Sequence, residues 1–296
     1  MTGMHRVVSS WLVAASMLGL ASFAHAVTVS ESFTGASTGP GWTLSGSATL
    51  TGTGAPDPVG AGWLRLTPAS GGQGYAYNSQ VLPISQRITV SFEFADWGGT
   101  GADGLTFFLF NAAEGFSTGN GGGGFGYEAM PTGVLAVGVA DGYPSSFTNG
   151  TSNAIAVRGP GPGTAFIGGT GGLSPTPETP ARGLTPADPN YRRLTITLNP
   201  AGAGAMAVSV QLQTGATVST VLSNVVVSGL PPNVQFGLSA ATGGQTNNHE
   251  VRNFSLASGT PVIPTLSQWS LVILATALLL GSLVVLARRR RESRAR

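Results

Sequence analysis

Apolar and polar residues alternate with a period of two along several segments between residues 27 and 257. In residues 87–94 every second side chain is apolar, from Ile88 to Phe94, and the side chains between them are polar. Because successive side chains of a strand point to opposite faces, this pattern predicts strands with one buried face. The same alternation recurs in residues 194–198, 208–212 and 234–238. Shorter strand candidates are residues 29–33, 63–66, 105–110, 135–140, 154–157 and 250–256.

No useful window of this region shows a sustained apolar stripe of helical period. The strands therefore predict an all-β fold, a sandwich of two packed antiparallel sheets, and roughly 230 residues are enough for its core. Long glycine-rich loops separate the strands, and loops of this length are usually functional or disordered. The proline-rich loop at residues 159–188 is expected to be partly mobile. The other long loops are residues 96–104, 114–126, 142–153 and 242–248.

An uncharged and mainly apolar run occupies residues 271–287. Trp269 precedes this run, and four arginines, Arg288 to Arg291, follow it directly. At roughly 1.5 Å per helical residue, residues 269–287 span about 28 Å, which is close to the thickness of a bilayer's hydrocarbon core. We therefore expect one C-terminal transmembrane helix at residues 271–287. The Arg-rich tail, residues 288–296, is expected in the cytoplasm, with everything before the helix outside.

The N-terminal segment has the features of a secretory signal peptide. Arg6 lies in a short basic start, residues 7–23 are mainly apolar, and Ala24-His25-Ala26 forms a small-residue cleavage pattern. Residues 1–26 are therefore predicted to be removed on export. Residues 27–257 remain as one exported domain, and residues 258–270 link it to the membrane helix.

The charge of the exported domain limits the classes of partner that it is expected to bind. The chain has no Cys and no Lys, and seven of its 14 basic residues lie in the terminal segments. The exported part keeps seven Arg against eleven acidic residues, a net charge of −4. Nucleic acid is excluded as an expected partner, because binding it requires Lys and Arg to neutralise phosphates. Since no disulfide can form, stability must come from packing or a bound ion.

The linker contains a short motif of its own. Ile263-Pro264-Thr265-Leu266, followed by Trp269, resembles the IPTL-type C-terminal sorting signal of Gram-negative bacteria, a relative of the PEP-CTERM signals. That family combines a proline-containing motif, one membrane helix and an Arg-rich end. Ser270 stands where the family usually has Gly. The resemblance implies a place in the cell envelope or on the cell surface, and processing by an exosortase-like membrane enzyme. A plain single-pass anchor is the alternative, and the sequence leaves cleavage of the tail open.

Four further segments, taken in chain order, resemble the L-type (legume-like) lectin family. The first contains Ala102-Asp103-Gly104 ahead of an apolar strand, and the second is a glycine run. The third is a strand that ends in an Asp with an aromatic residue two positions on, and the fourth covers the last two strands. The segments are residues 101–109, 122–127, 135–143 and 236–256. The resemblance implies a concanavalin A-like jelly roll that binds a surface or extracellular glycan without catalysis.

The resemblance also implies a carbohydrate site formed by Asp103, Gly123, Gly124, Tyr143 and Gly244. A carboxylate such as that of Asp103 can accept charge-assisted hydrogen bonds from two sugar hydroxyls. A glycine lets its main-chain N–H approach a ligand closely, and a Tyr ring packs on the apolar face of a pyranose. The loop around Gly244 would close the rim. Each residue also has a plainer interpretation: Ala-Asp-Gly as an ordinary turn, the glycine run as a flexible loop, and Tyr143 as a packing residue.

The metal loop of the family is only partly present. Asp141 and Tyr143 hold their places, but Val139, Ser145 and Asn149 replace other ligand positions. A transition-metal site needs imidazole or several carboxylates, and these are expected to be missing. Calcium also accepts amide and backbone oxygens, so Asp141 and Asn149 are the candidate ligands of a weak calcium site.

Two other functions are compatible with this fold. The changed metal loop favours a surface structural or adhesion domain that has lost sugar binding. A glycoside hydrolase would need two carboxylates about 5–9.5 Å apart. Glu93 and Asp96 are three positions apart in a strand, so they point to opposite faces and do not form such a pair. His249, beside Glu250, is expected to be structural, and with no Cys a nucleophilic triad is poorly supplied.

Overall fold

A computed structural model describes residues 26–161, 164–259, 274–279, 282 and 291 of the 296-residue chain. Val27–Thr260 form one compact unit, and the residues described beyond it belong to another. Within the described part of the first unit the chain forms fifteen strands and one 3₁₀ turn, at Gly122–Gly124. The strands are β1 (Val27–Glu31), β2 (Trp42–Gly46), β3 (Thr49–Leu50), β4 (Leu64–Thr67), β5 (Gln73–Pro83), β6 (Ile88–Trp97), β7 (Gly104–Asn111), β8 (Gly133–Ala140), β9 (Ala154–Arg158), β10 (Phe166–Thr170), β11 (Arg192–Pro200), β12 (Ala205–Thr214), β13 (Thr217–Ser228), β14 (Asn233–Ala241) and β15 (Asn248–Ser258).

The strands form two antiparallel sheets. The eight-stranded sheet has the order β13-β12-β11-β6-β15-β4-β3, and β1 also pairs with β15. The seven-stranded sheet has the order β10-β9-β8-β7-β14-β5-β2. One hydrophobic core contains buried side chains from both sheets, so they pack face to face. The predicted all-β antiparallel sandwich is confirmed.

Aromatic rings fill the core between the sheets. Trp42 of the seven-stranded sheet contacts Phe236 beside it and Phe254 of the opposite sheet, with ring centroids 5.7 and 5.2 Å away. Phe236 and Phe254 stack across the two sheets at 5.7 Å. The strand with one buried face predicted from residues 87–94 is confirmed, because its apolar side chains are all buried in this core. They are Ile88, Val90, Phe92 and Phe94.

Strand β7 is buried on both faces, which explains its almost continuous apolar sequence. Phe107 and Leu109 belong to the core between the sheets, whereas Phe108 and Phe110 belong to a second apolar cluster. Loop residues complete that cluster, namely Phe125, Tyr127, Met130 and Phe147. Two of the long loops that carry candidate site residues are therefore packed against the seven-stranded sheet.

Regular structure also appears where no strand was predicted, in β2, β3, β5, β10 and β13. Strand β10 lies inside the proline-rich loop, and β13 forms one edge of its sheet. Most side chains of β13 are exposed, so it lacks the alternating burial on which a sequence pattern depends.

Arg182 fixes the segment after β10 to the eight-stranded sheet. Its guanidinium donates two hydrogen bonds to the Glu250 carboxylate, at 2.5 and 2.7 Å, and a third to Asp57 at 2.9 Å. It also lies 5.5 and 5.2 Å from the ring centroids of Trp63 and Trp97. The side chain of Glu250 is fully buried, so this pairing neutralises a carboxylate inside the protein.

Residues 274–279 are helical, and the leucines among them are exposed. No helix among the described residues is long and apolar enough to cross a membrane. The sorting motif, most of the predicted signal peptide and most of the predicted membrane helix lie outside the described residues.

Candidate functional site

The candidate residues gather at one edge of the seven-stranded sheet because of its register. Gly104 at the start of β7 pairs with Ala140 at the end of β8 and with Ala241 at the end of β14. Asp103, Asp141 and the 242–247 loop therefore emerge side by side. Loops far apart in sequence meet at this edge, as the resemblance requires.

The main chain of Asp103 is fixed by both neighbouring strands. Its N–H donates to the Ala241 carbonyl at 3.4 Å, and its carbonyl accepts the Asp141 N–H at 3.1 Å. The Ala102–Asp103 peptide bond is cis. The Asp103 residue is only 7% exposed, and its Oδ2 has no hydrogen-bond partner within the protein. This oxygen is itself buried, so it is an acceptor that no described protein donor satisfies.

Burial raises the pKa of the Asp103 carboxyl. The charge of Asp141 acts in the same direction, whereas the charge of His249 and a hydrogen bond from the Gly243 main chain act against it. The carboxyl is therefore a poorly solvated acceptor, for which hydroxyl donors from a ligand would compensate.

Two glycines lie against the Asp103 carboxylate. A Cβ on Gly243 would lie 3.2 Å from Oδ2, and a Cβ on Gly122 would lie 3.8 Å from it. Gly122 also has a φ of +53°, which L side chains rarely adopt. Neither glycine was among the predicted site residues, although each lies within one position of a residue that was. Because neither glycine has a side chain, only main chain borders the acid there, and we call this site at the Asp103 carboxylate, bordered by Gly122 and Gly243, the dish.

The predicted Gly123 and Gly124 occupy the next turn of the same loop. Gly123 contacts the 141–153 loop, because its carbonyl accepts the Phe147 N–H at 2.8 Å. A Cβ on Gly124 would lie 3.0 Å from Asn120 and 3.1 Å from Glu128, so that position is enclosed by its own loop. Among the three, the structure brings Gly122 nearest to Asp103.

The glycine loop is anchored to the sheet. Ser239 of β14 donates a hydrogen bond to the Phe125 carbonyl at 2.8 Å, and the Phe125 ring stacks on Phe147 at 4.8 Å. The Tyr75 hydroxyl donates to the Gly126 carbonyl at 3.0 Å and accepts the Gly119 N–H at 3.2 Å. The loop is thus held in place by groups of the sheet, in contrast to the flexible-loop interpretation.

Tyr143 and Gly244 are the most exposed of the predicted carbohydrate-site residues. Tyr143 is 52% exposed, an unusual state for a large aromatic side chain in this protein. It follows Gly142, at which a Cβ would lie 3.9 Å from the Gly101 carbonyl. A Cβ on Gly244 would meet no atom within 4 Å. Both residues are exposed.

A buried polar cluster lies directly behind the dish. It consists of Asp96 at the end of β6, Asp141 after β8 and His249 in β15, and all three are 0% exposed. The Asp141 Oδ2 accepts an N–H from Asn247 at 2.7 Å and lies 3.0 Å from His249 Nε2. Asp141 Oδ1 and both carboxylate oxygens of Asp96 have no hydrogen-bond partner within the protein.

This cluster corrects one expectation from the sequence. Imidazole and several carboxylates were expected to be missing, but Asp96, Asp141 and His249 each place one ligand atom within 4.8 Å of the others. The sequence could not show this, because the three residues come from two different sheets. The one signal was a pair of polar residues, Asp96 and His249, at the ends of apolar strands.

The groups around Asp141 are not those that the calcium expected from the resemblance prefers as ligands. Calcium prefers a shell of about six to eight oxygens, whereas Asp141 faces an imidazole, an amide N–H and one carboxyl group. Asn149 is exposed, and no described hydrogen bond joins it to Asp141. The surroundings of the Asp141 carboxylate therefore match calcium poorly, and the Asp141–Asn149 pair is an untested prediction that the Asp141 environment does not favour.

Comparisons with known proteins agree with this architecture. Neither a protein-family model nor a curated protein matches the chain. Solved structures do match it. Basic winged bean lectin with Tn-antigen has a TM-score of 0.59 at 17% identity, over 80% of this chain and 100% of that one. The chain has the concanavalin A-like fold of the L-type lectins.

Two further structures extend the L-type lectin comparison. Peanut lectin with a nine-residue peptide has a TM-score of 0.56 at 21% identity, over 79% of this chain and 98% of that one. The exoplasmic/lumenal domain of VIP36, in its Ca²⁺- and mannose-bound form, has a TM-score of 0.54 at 19% identity, over 77% and 88%. These TM-scores show a shared L-type lectin fold. Because the identities are low, the ligand of this chain has to be inferred from its own site.

Proposed function

We propose that this protein is a carbohydrate-binding, lectin-like module without catalytic activity. The observation that carries the proposal is the Asp103 carboxylate, which has an unpaired oxygen and two glycines against it. The other groups proposed for the site are the exposed aromatic ring of Tyr143 and the open position at Gly244. The lectin fold of the neighbouring structures supports the same conclusion.

Each part of the dish suits a sugar. Asp103 accepts hydrogen bonds from two adjacent hydroxyls, and charge-assisted bonds of this kind are the stronger ones. The backbone around Gly122 and Gly123 can approach the sugar closely, because no side chain intervenes. Tyr143 offers an apolar platform to the C–H face of the ring. The loop at Gly244 selects among sugars by closing the rim.

The carboxylates give no support to a glycoside hydrolase. Glu93 accepts hydrogen bonds from Arg252 and Tyr191, and Asp96 is fully buried in the polar cluster. Asp141 is equally buried, so a polysaccharide cannot reach the Asp96–Asp141 pair as the structure stands. A surface structural or adhesion domain remains the second candidate, favoured by the changed metal loop.

The place of action proposed for this module is the cell envelope or surface. The signal-peptide features of residues 1–26, the motif Ile263-Pro264-Thr265-Leu266 with Trp269, and the Arg-rich end support export, membrane anchoring and processing by an exosortase-like enzyme. Mass spectrometry of the mature protein tests this. A C-terminus that retains residues 288–296 on the surface-located protein would exclude processing.

A glycan array tests the central proposal. The full-length protein is expected to bind a defined group of glycans, and Asp103→Ala is expected to lose that binding. Glu114→Gln is a matched control, since Glu114 is an exposed carboxylate beyond the opposite end of β7. Arms with added calcium and with a calcium chelator test the Asp141–Asn149 prediction. A folded wild-type protein that binds no glycan would leave the structural or adhesion role.

A further inference from the structure

The polar cluster behind the dish contains more acceptors than donors. Asp96 Oδ1, Asp96 Oδ2 and Asp141 Oδ1 are buried and have no hydrogen-bond partner within the protein. An unpaired buried acceptor is costly, and an unpaired buried carboxylate is more costly still. The three oxygens are therefore expected to have a partner that is not a protein donor.

The hydrogen bonds of His249 determine which nitrogen faces the cluster. The Thr67 hydroxyl donates its hydrogen to the Asn247 carbonyl at 3.2 Å, and its oxygen lies 2.6 Å from His249 Nδ1. We assign the Nδ1–H of His249 as the donor to Thr67, because the hydroxyl hydrogen is already used. When the ring is neutral, Nε2 then carries a lone pair, 3.0 Å from an oxygen of Asp141. Two acceptors facing each other at this distance need a positive charge between them.

The neighbouring charges supply too little positive charge to balance the cluster. Glu178 and Glu250 add negative charge near Asp96, although Glu250 is neutralised by its arginines. Arg192 interacts electrostatically with Asp96, but its hydrogen bonds go to main-chain carbonyls. One arginine therefore stands against the carboxylates of Asp96, Asp141 and Glu178, which leaves the cluster short of positive charge.

The ligand types indicate which cation would fit. Two carboxylates and one imidazole nitrogen are typical ligands of zinc and of other divalent transition metals, whereas calcium prefers oxygen alone. The hydrogen bond from His249 Nδ1 to Thr67 is the outer-shell contact that usually orients a metal-binding His. Zinc ligands lie about 3.3–3.6 Å apart, so atoms within 4.8 Å of one another would have to close by about 1 Å.

We propose that Asp96, Asp141 and His249 form a buried binding site for one divalent transition-metal ion, of which zinc is the best match. The ion would join the end of β6 and the start of β15 in one sheet to the end of β8 in the other. This site goes beyond the proposed glycan binding and does not depend on it. Its ligands are distinct from the predicted calcium pair, with which it shares only Asp141.

Protons are the competing occupants. A proton on Asp96 could be shared with Asp141, and a second on His249 Nε2 would complete an ion pair. Burial, the charge of Asp141 and a side-chain hydrogen bond with Asp141 raise the pKa of Asp96 well above its usual range, in the direction that favours such a proton. Asp96→Asn separates the two cases, since an amide resembles a neutral carboxyl in shape but is a poor zinc ligand.

The first experiment measures metal in the full-length protein purified from cells grown with added zinc. Elemental analysis after dialysis is expected to find one zinc ion per chain in wild type and in the Glu114→Gln control. Asp96→Asn and His249→Gln are expected to fall to the background level. Zinc that is absent from wild type, or retained equally in both variants, would overturn the proposal.

The second experiment measures stability. Because the ligands are fully buried, the protein is unfolded with a chelator and refolded with or without zinc. Zinc is expected to raise the midpoint of thermal unfolding by about 5–10 °C in wild type and in Glu114→Gln, and to leave Asp96→Asn and His249→Gln unchanged. If protons fill the cluster, zinc has no effect on wild type, and Asp96→Asn is at least as stable as wild type. That result would contradict the metal site while leaving glycan binding untouched.

Discussion

The main-chain N–H of Asp141 donates a hydrogen bond to the carbonyl oxygen of Asp103, at a distance of 3.1 Å. This bond joins the two functional features of the edge, because Asp103 holds the dish and Asp141 belongs to the buried cluster. A displacement of Asp141 would move the main chain of Asp103 with it. The position of the Asp103 carboxylate in the dish therefore depends on how rigid the cluster behind it is.

The first prediction concerns the charge of Asp103. Asp103→Asn keeps the shape of the side chain but removes the anionic acceptor, and a hydrogen bond to a charged group is worth about 1.5–3 kcal/mol. With two such bonds weakened, affinity for a glycan found on the array is expected to fall about 100-fold or more. Isothermal titration calorimetry measures the change, with Glu114→Gln as the control. Equal affinity of Asp103→Asn and wild type would place the sugar elsewhere.

The second prediction concerns the space beside this acid. Gly122→Ala puts a methyl group 3.8 Å from Asp103 Oδ2 and is expected to reduce binding at least about 10-fold. Gly150→Ala is a matched control, because its φ of +80° is also left-handed and a Cβ there meets nothing within 4 Å. Each substitution should cost about 1 kcal/mol of stability, because Ala is strained at positive φ.

Comparison of the two alanine variants separates strain from occlusion. Both are expected to unfold a few degrees lower than wild type, whereas only Gly122→Ala should bind less glycan. A loss of binding that is the same in both variants would show that backbone strain, and not the dish, is responsible.

The third prediction concerns the exposed ring at Tyr143. Tyr143→Ala removes the platform for a sugar ring and is expected to weaken binding about 10-fold, from about 1–1.5 kcal/mol of lost stacking. Tyr143→Phe keeps the ring and should retain most of the affinity. Phe166→Ala is a control, because Phe166 is a 40%-exposed aromatic residue on β10. Unfolding midpoints should stay close to wild type in all three variants. If Tyr143→Ala binds as wild type does, the ring is only a packing residue.

The strands of the sandwich were predictable where one face is buried. Residues 87–94 alternate because β6 has one side in the core, and the predicted strand ends within three residues of the observed end at Trp97. Strand β13 was missed because it lies at an edge and buries few side chains. Strand β5 was missed because it continues for eleven residues without a regular apolar alternation.

The dish was predictable in part, and the cluster behind it was not. Asp103 was found because it precedes an apolar strand in a recognisable motif, and its Gly122 neighbour lies next to the predicted Gly123. Asp96 and His249 meet Asp141 only through the packing of two sheets, and no spacing along the chain records that contact. A sequence pattern predicts which face of a strand a residue lies on. A cluster of this kind also depends on which strands of the two sheets end next to each other.

The fourth prediction concerns the clamp at Arg182. Arg182→Ala removes two hydrogen bonds from the buried Glu250 and one from Asp57, and it leaves a buried carboxylate with less compensation. The free energy of unfolding is expected to fall by about 3 kcal/mol, as measured by urea denaturation. Arg87→Ala is the control, because the Arg87 residue is exposed. Arg65 and Trp97 also donate hydrogen bonds to the Glu250 carboxylate, at 2.8 and 2.7 Å. A fall no larger than that of Arg87→Ala would mean that these two are sufficient partners for Glu250.

The last prediction concerns how the glycine loop is held. Tyr75→Phe removes the hydroxyl that donates to the Gly126 carbonyl and accepts the Gly119 N–H. Tyr77→Phe is a matched control on the same strand, where the ring stacks on Phe116 at 4.0 Å and no hydrogen bond of the hydroxyl is described. Loss of the Tyr75 hydroxyl is expected to cost about 1 kcal/mol of stability, because it removes these two hydrogen bonds, although the Gly119 N–H still donates to the Gly126 carbonyl at 2.9 Å.

The same change also tests whether the loop must be fixed for function. A loop that is free to move has to be ordered when a ligand binds, so Tyr75→Phe is expected to weaken glycan binding several-fold although Tyr75 is not a predicted ligand contact. Hydrogen exchange of the 119–126 amides should accelerate in Tyr75→Phe and stay unchanged in Tyr77→Phe. Faster exchange with unaltered affinity would show that the dish tolerates a mobile loop, and that Asp103 and Tyr143 hold the sugar without it.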